Sequence, residues 1–387
     1  MKSISNATTA FDPAARLRTI ESARQVAMHE RATLPAGSIA PWVVRSWERC
    51  MQQGLQPQQN AVFDLVSQPQ TRRTRDENEQ LVRAARPILE KLGNAIVNTR
   101  YFAILTNSDG VVVDASGPID RSDPRAHLLT RIGTDLSEGS VGTTAISTAL
   151  FEKQPVWLHR GEHFFSNTTM YSCAGAPLWG PDGACVGMLD LTGIDAIERP
   201  ELKHLVTQTA GKIENALLRT RPYRVLLRLN WPGNTLGTDA DGILCLDADG
   251  WITGANTVAR QMVPHLNASG QSGQPCAVHA SEVFGVAFGM LLDCASRDDP
   301  ILEIPLWTGL VLQALVLLPG DESRPLRAGA REHNPALPLK DIETALIRKA
   351  VDQARGNVAQ AALALGISRA TVYRKLGSKS GGPTDTP

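Results

Sequence analysis

Residues 357–376 read NVAQAALALGISRATVYRKL and decide how the end of this 387-residue chain folds. From Val358 to Leu365 an apolar residue recurs at positions i, i+3, i+4 and i+7, which places one apolar stripe along a helix. Gly366 follows, and glycine ends a helix readily because it enters the left-handed conformation without steric cost. Ser368 then has the hydroxyl that caps the start of a second helix. The stretch therefore predicts two short helices joined by a tight turn.

The second helix of this pair has one buried and one wettable face. Val372 and Leu376 form its apolar stripe, and four polar side chains share a different face: Thr371, Arg374, Lys375 and Ser378. This is the layout of a helix-turn-helix, whose second helix enters the major groove of DNA. A further helix that begins after Pro338 completes a unit of about 40 residues, so small that we expect it to dimerise.

Segment 339–377 resembles the C-terminal helix-turn-helix of the Fis family, which ends many bacterial enhancer-binding activators. The resemblance depends on GN at 356–357, AAxxLGI at 361–367 and SRATVYRKL at 368–376. It implies double-stranded DNA as a partner and an all-α C-terminal domain over residues 339–380. The residues that it assigns to the DNA-binding surface are Asn357, Ser368, Arg369, Thr371, Arg374 and Lys375. The alternative is a helical hairpin that only packs on the rest of the chain.

The overall charge does not favour a polyanion as partner, because 39 basic residues balance 39 acidic ones. Affinity for DNA must come from a local basic patch, and the last 50 residues contain one. The six cysteines are scattered without a CxxC pair, which indicates reduced thiols in a cytosol and no metal site. No apolar run is long enough to span a membrane, so we expect a cytoplasmic bacterial protein.

Residues 1–75 are predicted to form a helical entry segment followed by a polar connector. The string SIAPWVVRSWERCMQQGLQP at 38–57 contains Val43 and Trp47 at helical spacing, and Gly54 ends the helix. Its SWxRCxxxGLxP pattern resembles the entry segment of regulators of the acetoin-catabolism activator type. In such regulators this segment commonly precedes a GAF sensor domain.

Residues 76–220 alternate between helical and strand patterns. Long helices are predicted over 76–98 and 200–219, and an Asp-Gly hairpin is predicted over 101–114. Further strands at 155–159, 172–178 and 184–191 complete one antiparallel sheet with helices on one side. The strings GxxLSEGSVGTTAI, GEHF, CAGAPL and GxxxGMLDLTG resemble a GAF domain of the acetoin-activator kind.

A GAF-like domain implies a small-molecule effector held between the sheet and the crossover loops. An apolar pocket with few polar groups is how small ligands are held. The candidate ligand-binding residues are Trp157, Glu162, His163, Phe164, Tyr171 and Cys173. The alternative is that His163 caps a loop and Cys173 fills the core as a small apolar residue. Nothing in the sequence names the ligand.

Residues 235–320 form a third unit, and residues 321–338 read as a linker. The string DADGWITGAN at 247–256 resembles the opening hairpin of a PAS domain, which implies an α/β fold. No cofactor signature accompanies it, and our preferred interpretation is a dimerisation spacer. The predicted fold class is therefore α+β multidomain, with a GAF-like antiparallel sheet, a PAS-like domain and a helix-turn-helix.

The activators that this chain resembles have an AAA+ ATPase module between sensor and helix-turn-helix. Here only about 20 residues separate Leu318 from Leu339, and no GxxxxGK[ST] phosphate loop occurs in the sequence. Without that loop nothing would hold the β- and γ-phosphates of ATP. We therefore expect no ATP hydrolysis at a promoter.

Two functions from different classes remain at this point. The first is a ligand-responsive transcription regulator, in which a homodimer reads half-sites about 34 Å apart. Its protein partner would be RNA polymerase or a full-length activator. The second is a thiol-dependent reductase on a GAF fold that uses Cys173 or Cys185. A catalytic thiol needs a lowered pKa and usually a resolving partner.

Overall fold

The computed structural model describes residues 12–30, 32, 34–35, 37–63, 66–268, 278–297, 300–321, 351, 357–364, 368–369 and 371–372. The chain divides into two units, Met1–Ser323 and Arg324–Pro387. Two five-stranded antiparallel sheets lie in the first unit, and each has its own hydrophobic core. Among the residues described, no helix has both the length and the apolar character that a membrane crossing requires.

The first sheet confirms the predicted GAF-like strands. Its strands are β1 (Tyr101–Asn107), β2 (Val112–Ser116), β3 (Val156–His159), β4 (Tyr171–Trp179) and β5 (Cys185–Ile194). They lie in the order β2-β1-β5-β4-β3, and every neighbouring pair is antiparallel. At the predicted hairpin, the side chain of Asn107 accepts hydrogen bonds from two backbone N–H groups, while Gly110 adopts a φ of +83°. Glycine suits that conformation because it has no Cβ.

Eight helices accompany this sheet in the part of the chain that the structure describes. They are α1 (Pro13–Arg24), α2 (Pro41–Gln52), α3 (Gln68–Glu77), α4 (Glu79–Ala95), α5 (Pro124–Leu129), α6 (Glu138–Val141), α7 (Ala145–Glu152) and α8 (Leu202–Arg219). A π-helical turn, Gln25–His29, continues α1, and 3₁₀ turns occupy Arg160–Glu162 and Ser166–Thr168. Part of the predicted connector is helical, because Ser67 caps α3 by accepting from Gln70 N at 3.3 Å.

Helices cover both faces of the first sheet. On one face α4 and α8 pack against β1 and β5, with Leu89 and Val206 in that core. On the other face α7 packs against β3, β4 and β5, while α2 packs on α7 and α1 packs on the turn at Arg160–Glu162. The prediction of helices on one side only is wrong. Strand residues that face away from α4 and α8, such as Ile104, are also apolar, and the core that includes α7 buries them.

The second sheet includes a strand that precedes the predicted start of its domain at residue 235. Its strands are β6 (Val225–Asn230), β7 (Gly242–Leu246), β8 (Ile252–Ala255), β9 (Ile301–Pro305) and β10 (Val311–Leu317). The order is β8-β7-β6-β10-β9, so β6 lies at the centre. The apolar run VLLRLN provided the signal, since Val225, Leu227 and Leu229 are fully buried.

In the described parts of this domain, four short helices cover the second sheet. They are α9 (Thr257–Met262), α10 (His265–Ala268), α11 (Ala280–Val283) and α12 (Phe288–Ala295). Helical patterns in the sequence predict a short helix over 257–262, which agrees with the bounds of α9, and a single helix over 281–295. The second of these is interrupted, because Phe284 pairs with Leu306 in a β-bridge and Gly285 N donates to Pro305 O at 2.7 Å.

The described part of the second unit contains α13 (Val358–Ala364). Ala362 and Val372 are buried against each other, with Val351 and Val358 beside them. Apart from Asp321, the predicted linker lies outside the described residues, as do the glycine at 366 and the end of the predicted second helix. The predicted boundaries of the separate domains therefore stay predictions.

Candidate functional site

A small cavity lies between the first sheet and the start of α7. Side chains of β1, β4 and β5 form its floor, and residues between α5 and the turn at Ser166–Thr168 cover it. Its volume is about 30 Å³, which is room for about one or two water molecules. Its lining residues are Phe63, Ile104, Leu129, Leu136, Val141, Thr144, Ala145, Ile146, His163, Thr168, Tyr171, Cys173, Asp190 and Thr192.

The carboxyl group of Asp190 is the most unusual feature of this lining. It is completely buried on β5, and the hydroxyl of Thr192 donates to its Oδ2. Its Oδ1 has no hydrogen-bond partner. Burial raises the pKa of Asp190 to about 7, because a carboxylate loses hydration in an apolar environment. Near neutral pH the protonated and the ionised forms of this carboxyl group are therefore both populated.

The imidazole of His163 contributes a second polar atom without a partner. Its Nδ1 lies 3.0 Å from the carbonyl oxygen of Arg160, and a carbonyl oxygen only accepts. The proton is therefore on Nδ1, and Nε2 is a bare acceptor, fully buried and without a partner. Burial lowers the pKa of His163 to about 4, so the ring is neutral at physiological pH. The ring of Tyr171 meets it edge-on at 6.2 Å between centroids.

Of the six predicted ligand-binding residues, His163, Tyr171 and Cys173 line this cavity. Trp157 lies on the opposite face of the sheet, in the core formed by α4 and α8. Phe164 is packed into the core beside the cavity and does not line it.

Glu162 also lies outside the lining. It forms an ion pair with Arg16 of α1 and accepts a hydrogen bond from His159 N at 2.7 Å. Burial raises the pKa of Glu162 to about 7, against the opposing effect of the Arg16 charge. Its role is to attach α1 to the turn that precedes His163.

Sequence reasoning missed Asp190 and Thr192. Both lie in the GMLDLTG string that carried the resemblance, and a single carboxyl inside an apolar strand was the available signal. An unpaired buried carboxyl is costly, so its presence in a strand centre indicates a function more often than packing. Thr144 and Thr168 line the cavity too, and no pattern distinguished them from ordinary capping residues.

The entry segment covers the outer side of the cavity. Arg49 of α2 donates to both carboxylate oxygens of Glu138, at 2.8 and 2.9 Å. Ser46 bonds to the same carboxylate and to the hydroxyl of Thr143 at 2.8 Å. Trp47 donates from its indole nitrogen to Glu162 O at 2.9 Å. The SWERC and LSEGSVGTT strings, distant in sequence, therefore form one contact surface above the cavity.

The thiol of Cys173 does not have the properties of a nucleophile. Burial raises its pKa well above the ordinary value, and its sulfur lies 3.5 Å from the hydroxyl of Thr192. A reactive thiol has a lowered pKa and an accessible position. Within the described residues no group of three His, Cys, Asp or Glu side chains is arranged to hold a metal ion.

The described residues of the helix-turn-helix show how its helices begin. Asn357 Oδ1 accepts from the backbone N–H groups of Ala359 and Gln360, at 3.1 and 3.2 Å, and so caps α13. Ser368 Oγ accepts from Thr371 N at 3.1 Å, which confirms the predicted cap of the next helix. Arg369 is exposed. Two predicted DNA contacts, Arg374 and Lys375, lie outside the described residues.

Comparison with known proteins agrees with this architecture. Residues 19–215, just over half of the chain, match the family model described as MimR, N-terminal domain. The chain belongs to this family. Residues 338–377 match the Fis family of bacterial regulatory proteins, so the chain ends in a DNA-binding helix-turn-helix. The MimR N-terminal match covers the entry segment and the first sheet together, which is how the structure packs them.

Several curated relatives are named as transcriptional activators or regulatory proteins. The acetoin catabolism regulatory protein of Cupriavidus necator is 28% identical over 262 residues, which are 66% of this chain and 38% of that protein. The propane 2-monooxygenase operon transcriptional activator MimR of Mycolicibacterium goodii is 28% identical over 223 residues, which are 54% of this chain and 37% of that protein. The chain thus spans less than two-fifths of the length of either relative.

One solved structure shows a distant likeness. A chain in the crystal structure of the E. coli DhaR(N)-DhaL complex is 14% identical with a TM-score of 0.43. The match covers 72% of this chain and 100% of that chain.

Proposed function

We propose that this protein is a DNA-binding transcription regulator whose GAF-like cavity senses a small, neutral, hydroxyl-bearing molecule. The observation that carries the proposal is the pair of buried polar atoms without partners, His163 Nε2 and Asp190 Oδ1, in the lining of one cavity. Buried polar atoms almost always have partners, because each one left without costs about 1–3 kcal/mol. Two such atoms around one small space indicate a ligand that satisfies both.

His163 defines one end of the ligand. Because its Nε2 is a bare acceptor and its pKa lies near 4, it requires a donor such as a hydroxyl group. A carboxylate ligand has no proton to donate, so it cannot form a hydrogen bond with the lone pair of Nε2. The imidazole therefore selects against small anions.

Asp190 defines the other end. With a pKa of about 7 it donates to a carbonyl oxygen when protonated and accepts from a hydroxyl when ionised. Small alcohols, diols and hydroxyketones satisfy both conditions. One relative is named as a regulator of acetoin catabolism, and acetoin is a small hydroxyketone of this kind.

The cavity must enlarge to admit such a molecule. At about 30 Å³ it has room for only one or two waters, whereas ligand pockets are usually several hundred Å³. The residues that cover it, from Val141 to Ile146, include the short α6 and the start of α7. We expect these residues to move when the ligand enters.

At the other end of the chain, the helix-turn-helix presents its second helix to the major groove. We propose that a homodimer binds a palindromic site, and that RNA polymerase or a full-length activator is its protein partner. The absence of a GxxxxGK[ST] motif from the sequence supports action without an ATPase of its own.

Titration calorimetry tests the ligand proposal. The panel is acetoin, butane-2,3-diol and propan-2-ol, with acetate as the charged comparison. We expect binding of at least one neutral compound and none of acetate. His163→Phe should weaken binding about tenfold or more, since it removes a buried acceptor. Trp157→Phe, on the far face of the sheet, is the matched control and should bind normally. Equal binding by the His163→Phe protein would contradict the proposal.

The alternative function, a thiol-dependent reductase, finds no support at Cys173. Its buried thiol has a raised pKa, whereas a catalytic thiol must ionise readily.

A further inference from the structure

The β4–β5 hairpin extends from the cavity to the second sheet. At one end its strands line the cavity with Tyr171 and Cys173 from β4 and with Asp190 and Thr192 from β5. At its other end, the turn at residues 180–184 lies against β8 and α9 of the second sheet domain. The two strands are paired over nearly their whole length.

The tip of this hairpin is held by two donors. The carbonyl oxygen of Pro181 accepts from Ala255 N at 2.9 Å and from Nη2 of Arg260 at 2.8 Å. The fit is close, since a Cβ on Gly183 would lie 2.9 Å from the guanidinium carbon of Arg260. A Cβ on Gly254 would lie 3.0 Å from that of Pro181. The backbone at Gly183 and at Gly254 therefore lies close to the opposite domain.

A buried carboxyl group supports the base of the tip. Glu214 of α8 accepts from Trp179 N, the last residue of β4, at 3.2 Å. Its other oxygen accepts from the hydroxyl of Thr257, the first residue of α9, at 2.7 Å. One side chain thus ties the end of β4 to the start of α9.

Amide side chains form further hydrogen bonds where the first sheet domain contacts the second. Asn256 donates to Asn215 Oδ1 at 2.8 Å and to Asp241 O at 2.9 Å. Its own Oδ1 accepts from Ile243 N at 2.9 Å and caps α9 by accepting from Ala259 N at 2.8 Å. The contact between the two sheet domains is therefore specific and polar, unlike a loose linker.

We propose that the β4–β5 hairpin, with its tip held by Arg260 and Ala255, transmits the state of the cavity to the second sheet domain. The inference extends the proposed sensing function by naming its route. The hairpin is paired on both sides within its sheet, so a shift of β5 at Asp190 displaces the tip. Because Pro181 is bonded to β8 and α9 directly, that displacement must alter those elements. Because the coupling free energy is reciprocal, a change in the second sheet domain would affect the cavity by the same amount.

Hydrogen exchange in the full-length chain tests this route without any ligand. Thr192→Val is nearly isosteric and removes the hydroxyl that donates to Asp190 at the cavity. Exchange of the Ala255 amide, which donates to Pro181, is measured in the parent chain, in Thr192→Val, in Arg260→Met and in the double variant. The Leu244 amide, on β7 directly opposite Ala255, reports whether the loosening extends beyond the hairpin contact.

We expect Thr192→Val to speed exchange at Ala255 at least about threefold and to leave Leu244 unchanged. In the Arg260→Met background the same substitution should add nothing, because the tip is already released. Unchanged exchange at Ala255, an equal increase in both backgrounds, or an increase at Leu244 as large as at Ala255 would each overturn the proposal. Cys173→Ala serves as the second cavity variant if Thr192→Val does not fold. Failure of ligand binding in calorimetry would not affect this result.

Discussion

Nδ1 of His163 lies 3.0 Å from the carbonyl oxygen of Arg160, and this hydrogen bond determines which ring nitrogen faces the cavity. With the proton held on Nδ1, the Nε2 lone pair is available only to a donor. The preference for a hydroxyl-bearing ligand therefore originates in the backbone of the turn at Arg160–Glu162 and in one side chain.

The neutral state of His163 makes part of the stability sensitive to acid. Its pKa is lowered to about 4 in the fold, from an ordinary value near 6.5. The stability that depends on the neutral ring is present above pH 6.5 and is lost as the pH falls toward 4. His163→Gln should make the unfolding midpoint in urea less dependent on pH between 6.5 and 4. His159, whose pKa burial also lowers to about 4, retains the remaining dependence.

Asp190 should make the stability depend on pH in the opposite direction to His163. Its pKa is raised to about 7, so the stability that depends on the protonated carboxyl is present below about pH 4 and is lost as the pH rises through 7. Asp190→Asn cannot ionise, and relative to the parent chain it should gain on the order of 4 kcal/mol between pH 4 and pH 8. Denaturation at the two pH values measures this gain. Asp109→Asn, in the exposed β1–β2 turn, is the control; an equal gain there would refute the assignment.

Arg24 should be essential for the turn that presents His163. Its buried guanidinium donates to the carbonyl oxygens of Gly161 at 2.7 Å, of His163, and of Phe164 at 3.0 Å. Arg24→Met leaves these carbonyls without donors and should destabilise the protein by roughly 2 kcal/mol or more. Arg18→Met, on the exposed side of the same helix, should cost little. Equal thermal midpoints for the two variants would contradict the prediction.

A substitution at Gly142 tests the backbone conformation of the residues that cover the cavity. Its φ is +68°, and a Cβ there would lie 2.9 Å from the Cβ of Phe164. Gly142→Ala should therefore destabilise the protein by about 1–3 kcal/mol, through strain and a clash together. Gly139→Ala, in the adjacent α6, meets no atom within 4 Å and is the matched control. Thermal denaturation of the two variants should separate them clearly.

The helix-turn-helix yields a test of DNA binding that does not depend on the ligand. Arg369→Ala should reduce the slope of log affinity against log salt by about 1 if its exposed side chain contacts a phosphate.

Arg374→Ala should reduce the free energy of binding to specific DNA by about 1–3 kcal/mol if it reads a guanine edge. Gel shifts at several salt concentrations measure both effects. Arg73→Ala, on the exposed face of α3, should leave binding unchanged.

Local pattern was sufficient to predict most of the secondary structure. The Asp-Gly hairpin between β1 and β2, helix α9 and the Ser368 cap all depend on residues close in sequence. The side of the sheet on which each residue lies was harder to predict. Trp157 is conspicuous in sequence, but the alternation along β3 places it on the face opposite the cavity.

Contacts between distant segments could not be predicted from local pattern. The bond of Arg49 to Glu138 joins residues 89 positions apart, and nothing within either string indicates it. The central position of β6 likewise depends on its pairing with β10, about 85 residues later in the chain. Asp190 was visible as a charged residue in an apolar strand, yet its importance appears only when its missing partner is seen.

The packing of α1 and α2 onto the first sheet domain affects how the protein can be divided. A fragment that starts at residue 76, where the sequence suggests a sensor domain begins, would expose the apolar surfaces of α7 and of the turn at Arg160–Glu162 that α2 and α1 cover. It would also leave Glu138 without Arg49. Such a truncated piece would aggregate rather than report on its effector, so a recombinant sensor fragment has to retain the first helix.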